Sequence, residues 1–238
     1  NSRDVVIRNN ILEDTFFGIY SQYSINCTIE KNTLAAYHKP EQETGNGIHC
    51  WKSDSMRIIG NNISGHRDGI YFEFVTNSVI WRNISEENLR YGLHFMFSNN
   101  DFYICNIFKN NGAGVAVMFS HDVKMFHNLF EENWGDGAYG LLLKEISDSY
   151  IENNQFEKNT NGIFMEGASR MNLEKNVFKS NGWAMKIQAS CMDVIARNNN
   201  FKSNSFDVGT NGDLVLNTFI NNYWDKYEVY DRNKDKLG

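Results

Sequence analysis

Side chains that can bind metals or protein partners recur in this chain at intervals of 22 or 23 residues. One series consists of His49, Tyr71 and His94. A second series, two residues further along each repeat, consists of Trp51, Glu73, Met96 and Met118. Imidazole and thioether groups together suit a soft metal such as Cu(I), whereas carboxylates suit harder ions. Exposed Trp, Tyr and Met side chains in one patch usually mark a protein-binding surface. The spacing therefore predicts that these residues, distant in the chain, share one surface.

A repeat of the same length runs through the whole chain. Asparagine makes up 34 of the 238 residues, although helices and ordinary strands disfavour it. Alignment on Asn-x-(Phe/Ile/Leu) predicts a first column at Asn9, Asn32, Asn61, Asn83, Asn106, Asn128, Asn154, Asn176, Asn199 and Asn217. A second column runs from Asn88 to Asn222, and phenylalanines from Phe108 to Phe219 lie between the two columns. Inward asparagines stacked in this way hydrogen-bond the backbone and one another.

This period predicts a solenoid, either a leucine-rich repeat or a parallel β-helix. Leucine is scarce and no amphipathic segment has the length of a helix, so the β-helix is favoured. We predict an all-β, single-domain parallel β-helix over residues 1–238, with about nine to ten coils of about 22–23 residues each. Two longer intervals place inserted loops near residues 38–45 and 134–139, and residues 223–238 form a predicted cap. Loops on a rigid scaffold often carry function.

A glycine column, from Gly18 to Gly162, begins one strand in each coil. Successive side chains of a strand alternate between its faces, so the first, third and fifth residues after each glycine are expected to face the core. The second and fourth residues are expected to face solvent, and they include the candidate copper ligands His49, His94, Met96 and Met118 together with Ala116, Leu142 and Phe164. The candidates for partner binding are Trp51, His66, Arg67, Asp68, Tyr71, Glu73 and Arg90.

Two simpler interpretations of these residues remain open. Arg67 and Asp68 are adjacent at a turn, where an ion pair that only fixes the turn is an equally good explanation. The apolar members of the outward set are also explained if a neighbouring loop covers them, because single exposed apolar residues are common on protein surfaces.

Composition and charge exclude several other classes. The chain has 23 Lys and Arg against 29 Asp and Glu, a net charge of −6, and no basic stripe, which argues against nucleic-acid binding. No apolar run reaches the 18 residues that suggest a membrane span. The four cysteines form no C-x-x-C pair, so neither a zinc ribbon nor a thioredoxin-like motif is expected. The first residues also lack the pattern of a signal peptide.

Several stretches resemble the NosD family of proteins that mature nitrous oxide reductase. They are GHRDGIYFEF at 65–74, LRYGLHFMFS at 89–98, NNGAGVAVM at 110–118, GLLLK at 140–144 and NYWD at 222–225. The resemblance implies a right-handed β-helix exported to the periplasm, where it sits on an ABC transporter made of an ATPase and a permease. It also implies a copper chaperone lipoprotein and apo-nitrous oxide reductase as partners. On this view the protein is not an enzyme, and Cu(I) is passed on transiently without an organic cofactor.

The main alternative is a carbohydrate-active β-helix enzyme, either a polysaccharide lyase, an epimerase or a hydrolase. Its candidate active site consists of Arg67, Asp68, Tyr71, Glu73 and His94, with Trp51 as a platform for sugar rings. Glycoside hydrolysis needs two facing carboxylates, and Asp68 with Glu73 is the only outward pair near this patch. A third possibility, a purely structural or adhesive solenoid, needs no cluster of His and Met. The sequence therefore favours the maturation factor.

Overall fold

The computed structural model describes residues 2–37, 40–212 and 217–226. Over these ranges the chain is a right-handed parallel β-helix of about nine turns, which confirms the predicted fold. The only helical element within them is a 3₁₀ turn at Glu41–Glu43. None of the described segments is a helix long and apolar enough to cross a membrane.

The strands lie on three faces, A, B and C, which the chain visits repeatedly in that order, and the first strand, Val6–Arg8, lies on face B. Face A contains Ile19–Gln22, Ile48–Trp51, Asp68–Glu73, Tyr91–Met96, Ala113–His121, Tyr139–Ser147, Asn161–Glu166, Trp183–Ile187 and Phe206–Thr210. Face B contains Val6–Arg8, Thr28–Glu30, Arg57–Ile59, Val79–Trp81, Phe102–Ile104, Lys124–Phe126, Tyr150–Glu152, Ser169–Glu174, Met192–Arg197 and Thr218–Ile220. Face C contains Ile11–Glu13, Thr33–Ala35, Asn62–Ser64, Ile84–Glu86, Ile107–Lys109, Leu129–Glu131, Gln155–Glu157, Val177–Lys179, Asn200–Lys202 and Tyr223–Trp224.

The asparagines of the first column form a continuous ladder at the corner between faces B and C. Asn128 is representative, because its Oδ1 accepts the backbone N–H of Asn106 at 2.9 Å in the coil before. Its Nδ2 donates to Oδ1 of Asn154 in the coil after and to the carbonyl of Tyr103, both at 2.9 Å. The six ladder residues predicted from the sequence are all buried, namely Asn61, Asn83, Asn106, Asn128, Asn154 and Asn176. The predicted ladder is therefore confirmed.

The two ends of this ladder differ from the prediction. Its first member is Asn10, whose N–H donates to Oδ1 of Asn32 at 3.0 Å, whereas Asn9 occupies the left-handed corner position with φ of 56°. Its last member is Asn222, which accepts the N–H of Asn199 at 2.9 Å. Asn217 lies outside the ladder, because its Oδ1 accepts the backbone N–H of Val194 on face B at 3.0 Å. The alignment was wrong at the first end because Asn9 and Asn10 both fit the pattern, and at the last end because Asn222 is followed by Tyr223 and Trp224 and does not fit it.

Aromatic rings fill the core beneath face C. Phe108, Phe130, Phe156, Phe178 and Phe201 are fully buried, and neighbouring rings lie 4.6 to 5.6 Å apart between centroids. Trp224 extends this stack at 4.1 Å from Phe201. Phe219, which the sequence placed in the stack, lies on face B instead. From Phe108 to Trp224 the stacked rings bury large apolar surfaces in each successive coil, which is the main source of stability in such a core.

The two predicted insertions lie at the same corner, between faces C and A. Other connections at this corner take three to five residues, as at 65–67 and 14–18, whereas residues 36–47 and 132–138 form long loops. Residues 38 and 39 of the first loop lie outside the described ranges. So does the predicted cap beyond residue 226.

One buried carboxylate gives the fold a pH dependence. Oδ1 of Asp101 accepts the N–H of Ser78 at 2.6 Å, but its Oδ2 and the nearby Tyr103 hydroxyl have no hydrogen-bond partner among the described residues. Burial raises the pKa of Asp101 well above its ordinary value. A raised folded-state pKa means that stability is fully present below the unfolded pKa and is lost as pH rises through the folded pKa.

Replacing Asp101 with asparagine is therefore expected to stabilise the protein at pH 8 by about 1–3 kcal/mol, since it removes the cost of a buried charge. Urea unfolding at pH 5 and pH 8 measures this, and the variant is expected to lose stability between these pH values by less than wild type. Asp193→Asn is the matched control, because Asp193 is exposed. An equal pH dependence in Asp101→Asn and wild type would contradict the prediction.

Candidate functional site

The two inserted loops border one section of face A. Between them lie three coils, whose face A strands begin at Asp68, Tyr91 and Ala113. The first loop reaches this section through Glu41, whose Oε1 lies 3.6 Å from Nε of Arg90. The second loop carries Trp134, which is 55% exposed and lines a surface pocket of about 330 Å³ together with Arg90 and Tyr91. We call this pocket, lined by Arg90, Tyr91, Ala113, Trp134 and Asp136 among others, the cleft.

Residues that precede the glycine column cover the outward side chains of face A. The ring of Tyr91 lies 4.8 Å from that of His94, three residues later. In the same way, Nδ2 of Asn46 donates to Nδ1 of His49 at 3.0 Å. The prediction that the outward set faces solvent is accordingly wrong for His94, which is 8% exposed, and also for Ala116 and Leu142. Strand alternation is correct there, but a second layer of side chains covers the strand.

A buried carboxylate lies on the strand next to that of Tyr91. Asp68 is fully buried, with its Oδ2 at 3.4 Å from Nε of Arg67 and at 3.9 Å from Nδ1 of His94. Neither oxygen of Asp68 and neither ring nitrogen of His94 has a hydrogen bond to any residue in the described ranges. Buried polar groups are nearly always hydrogen-bonded. The ion pair between Arg67 and Asp68, one of the two interpretations that the sequence left open, is present.

His66 belongs to the asparagine ladder at the corner between faces C and A. Its N–H donates to Oδ1 of Asn88 at 3.1 Å, as the asparagines of this column do. The ring is fully buried, and burial lowers the pKa of His66 to about 4, so that it is neutral at pH 7. The sequence placed His66 and Asp68 on an exposed partner surface, and their complete burial corrects that placement. The sequence signal was present, because His66 precedes Asn88 by one repeat.

The predicted ladder of rings on face A is present. The ring of Tyr71 lies 4.6 Å from that of His49 and 5.1 Å from that of His94. Burial, and secondly the nearby Arg67, lower the pKa of His49 to about 4. Burial raises the pKa of Tyr71 to about 12, and the Tyr71 hydroxyl donates to Oε2 of Glu73 at 3.4 Å. Because Tyr71 stands between the two imidazoles, they are about 9–10 Å apart and do not share an ion.

Two methionines and three phenylalanines form a continuous outer surface at the corner between faces A and B. Met96 and Met118 are register partners on adjacent strands and are half-buried. Phe74, Phe97 and Phe119 are 43%, 38% and 42% exposed, and neighbouring rings stack at 5.1 and 5.0 Å. Each phenylalanine is the fifth residue after a column glycine and was therefore expected to face the core. Their positive φ angles turn the side chains outward instead. We call these five residues the Met–Phe surface.

The described residues contain no group of three His, Cys, Asp or Glu side chains placed to hold a metal. The soft thioether groups of Met96 and Met118 belong to register partners on adjacent strands of face A. Two thioethers suit Cu(I) rather than any harder cargo. Trp51 lies two coils before Met96 in the same register column. Nζ of Lys52 is 4.6 Å from the centroid of the Trp51 ring.

A family model covers nearly all of this chain. The model for NosD, described as a periplasmic copper-binding protein, matches residues 1–72 and 35–233. The chain belongs to the NosD family. This confirms the resemblance seen in the sequence and supports a copper-related role in the periplasm, which is how the NosD family is described. No curated protein sequence matches the chain significantly.

Solved structures share the fold of this NosD-family chain at low sequence identity. The A-module of the mannuronan C-5 epimerase AlgE4 from Azotobacter vinelandii matches with a TM-score of 0.65 and 14% identity, over 91% of this chain and 75% of that one. The surface adhesin PfbA of Streptococcus pneumoniae matches with a TM-score of 0.68 and 14% identity, over 88% and 68%. The pectate lyase Pel9A matches with 0.60 and 12%, over 87% and 65%. These likenesses show the β-helix fold alone.

Proposed function

We propose that this chain is a non-enzymatic accessory factor that helps to deliver copper to apo-nitrous oxide reductase. In this proposal it works in the periplasm with a copper chaperone lipoprotein and with the ATPase and permease subunits of an ABC transporter. Membership of the NosD family supports the copper-related role. The observation that carries the proposal is the Met–Phe surface, which combines exposed stacked aromatics with two adjacent thioethers.

The aromatic part of this surface has the character of a partner contact. Phe74, Phe97 and Phe119 occupy left-handed corner positions, where a non-glycine residue costs about 1–2 kcal/mol. The equivalent corners in the flanking coils carry the polar residues Lys52 and Glu145. The phenylalanines are thus confined to three consecutive coils. A local exposed apolar patch with a polar rim is typical of a protein-binding surface.

The methionine part suits transfer of copper better than storage. Met96 and Met118 lie side by side on adjacent strands, and strand spacing fixes their backbones about 4.8 Å apart. Two thioethers give Cu(I) soft ligands but leave room for ligands from a chaperone or an acceptor. Copper is therefore a cargo that crosses this surface and is not retained on it.

The experiment combines Cu(I) competition with partner capture under anaerobic conditions. Met96→Leu with Met118→Leu is expected to raise the Kd for Cu(I), measured against a chromogenic chelator, by about tenfold because both soft ligands are lost. Immobilised wild-type protein is expected to retain apo-nitrous oxide reductase or its copper chaperone, and Phe97→Ala is expected to weaken that retention. Met192→Leu is the matched control, since Met192 is exposed on face B.

Unchanged chelator competition in the double variant, together with no retention of either partner, would overturn the proposal. The enzymatic alternative then becomes the better one, and a parallel polysaccharide assay tests it. For a hydrolase, however, the pair of carboxylates is unfavourable. Asp68 is enclosed and Glu73 accepts from Tyr71, whereas hydrolysis needs two carboxyl groups facing each other across the bond.

A further inference from the structure

We propose that the outer surface of face B binds an extended acidic segment of a protein partner. The contact region combines apolar side chains with cations on four consecutive coils, and we call it the face B patch. Its members are Ile59, Val79, Trp81, Phe102, Ile104 and Phe126, with the cations Arg57, Arg82 and Lys124. This inference goes beyond the copper-related role and does not depend on it, because the face B patch and the Met–Phe surface share no residue.

The apolar side chains of the face B patch form one continuous area. Trp81 has Ile59 and Ile104 as its register partners on the two adjacent strands, and Val79 is the register partner of Phe102. Trp81 is 36% exposed, and the other four side chains are half-buried. The apolar faces of parallel sheets are normally covered. A continuous apolar area that remains accessible on such a sheet therefore indicates a binding surface.

Polar residues bound this area at both ends. Glu30 is the register partner of Ile59 on the coil before, and Glu152 occupies the equivalent position on the coil after the face B patch. Both carboxylates already have a cation near them, since Glu30 lies 4.0 Å from Arg8 and Glu152 lies 3.2 Å from Lys175. An apolar centre with a polar rim is typical of a contact between proteins.

The three cations of the face B patch have no carboxylate partner among the described residues. The guanidinium of Arg82 lies 4.7 Å from the ring centroid of Trp81, and Nζ of Lys124 lies 4.8 Å from that of Phe102. Arg57 is exposed at the edge of the same area. These charges are available to carboxylates of a partner, and such complementary charges select the partner and speed its association.

The carboxylates at the corner between faces A and B do not neutralise these cations. Oδ2 of Asp54 accepts from the Thr76 hydroxyl at 2.7 Å and from the Asn77 side chain at 2.6 Å. Asp122 pairs with His121 at 2.7 Å. The face B patch is therefore locally positive, although the chain has a net charge of −6. A second copy of the chain would bring like charges together if it used the same patch, which disfavours self-association through this surface.

The positions of two cations indicate the conformation of the partner segment. Arg57, Val79, Phe102 and Lys124 follow one another in one register column, so the two cations are about 14 Å apart along the axis. In an extended segment, residues i, i+2 and i+4 face the same side, and the first and last are about 13 Å apart. Carboxylates at i and i+4 with an apolar residue at i+2 therefore match the column.

Fluorescence anisotropy with labelled peptides of eleven residues tests the proposal. The first peptide has serine at the odd positions, with glutamate and leucine alternating at the even positions. Lysine replaces glutamate in the second peptide, and serine replaces leucine in the third. Wild type is expected to bind the first peptide at least tenfold more tightly than the other two. Arg57→Glu with Lys124→Glu, and separately Phe102→Ala, are each expected to weaken that binding at least tenfold.

Lys179→Glu with Lys202→Glu is the matched control, because these lysines are exposed register partners on face C. This control is expected to bind the first peptide as wild type does. The Met96→Leu, Met118→Leu variant is expected to do the same, so the test is independent of the copper-related proposal. Thermal unfolding shows whether each variant is folded, and the charge-reversal variant decides the matter if Phe102→Ala is not.

Several results would overturn the proposal. These are no saturable binding of the first peptide by wild type, equal binding of the second or third peptide, or unchanged binding by the Arg57→Glu, Lys124→Glu variant. Self-association of wild type that this variant lacks would assign the surface to a second copy of the chain. Sedimentation of wild type, but not of the variant, with phosphatidylglycerol vesicles would assign it to a membrane.

Discussion

Replacing Asn128 with alanine is expected to lower the free energy of unfolding by about 2–4 kcal/mol, because at least two buried backbone groups lose their partners. The Asn128 side chain accepts the N–H of Asn106 and donates to the carbonyl of Tyr103. It also links to Asn154 in the next coil. Alanine removes all of these bonds at once and leaves the backbone groups in a core that water does not reach.

Urea unfolding followed by far-ultraviolet circular dichroism measures this loss. Asn172→Ala is the matched control, since Asn172 is only half-buried on face B, and a surface change of this kind usually shifts stability by about 0.5 kcal/mol or less. Equal unfolding midpoints for Asn128→Ala and wild type would show that the ladder does not contribute to stability.

Replacing Gly92 with alanine is expected to destabilise the protein by about 3 kcal/mol, at the upper end of typical overpacking costs. A Cβ atom at Gly92 would lie 2.7 Å from the carbonyl oxygen of Gly114 and 2.8 Å from Nδ2 of Asn111. The first of these is backbone of the next coil, and the second belongs to a ladder. Neither atom moves away without opening the stack.

Thermal unfolding of Gly92→Ala and of Gly137→Ala provides the comparison. A Cβ atom at Gly137, in the second inserted loop, meets no atom within 4 Å, so that control is expected to unfold close to wild type. If Gly92→Ala proved as stable as Gly137→Ala, close approach of neighbouring coils would not be the reason for glycine at this column.

The repetitive part of this structure is predictable from the sequence. Each coil packs only on its neighbours, so the requirement that buries Asn128 applies equally to Asn154 and Asn176. The same holds for Phe130 and Phe156 in the aromatic stack. A physical rule that acts once per coil leaves a periodic trace, and the trace reveals the fold. It weakens at the ends, where a coil has one neighbour only.

The functional surface is predictable only in part. The ladder of His49, Tyr71 and His94 follows from period and alternation, and the structure confirms it. The burial of His94 does not follow, because it depends on how Tyr91 folds over the strand. The outward turn of Phe97 depends on a backbone angle at the corner. The covering by Tyr91 does not repeat in every coil. The left-handed angle does recur, as at Lys52 and Glu145, but the residue type at this corner varies, so the sequence carries no periodic signal of either feature.

The parallel stacking of coils fixes the spacing of equivalent side chains along face A. Equivalent side chains on neighbouring strands, such as Met96 and Met118, are displaced along the axis by about 4.8 Å or a whole multiple of it. Equivalent side chains reach a spacing between these multiples only by changing their rotamers. A polymer whose repeat matches this step meets the same register in coil after coil. A compact ion, in contrast, meets at most two coils at once and is held less firmly than in a closed cage.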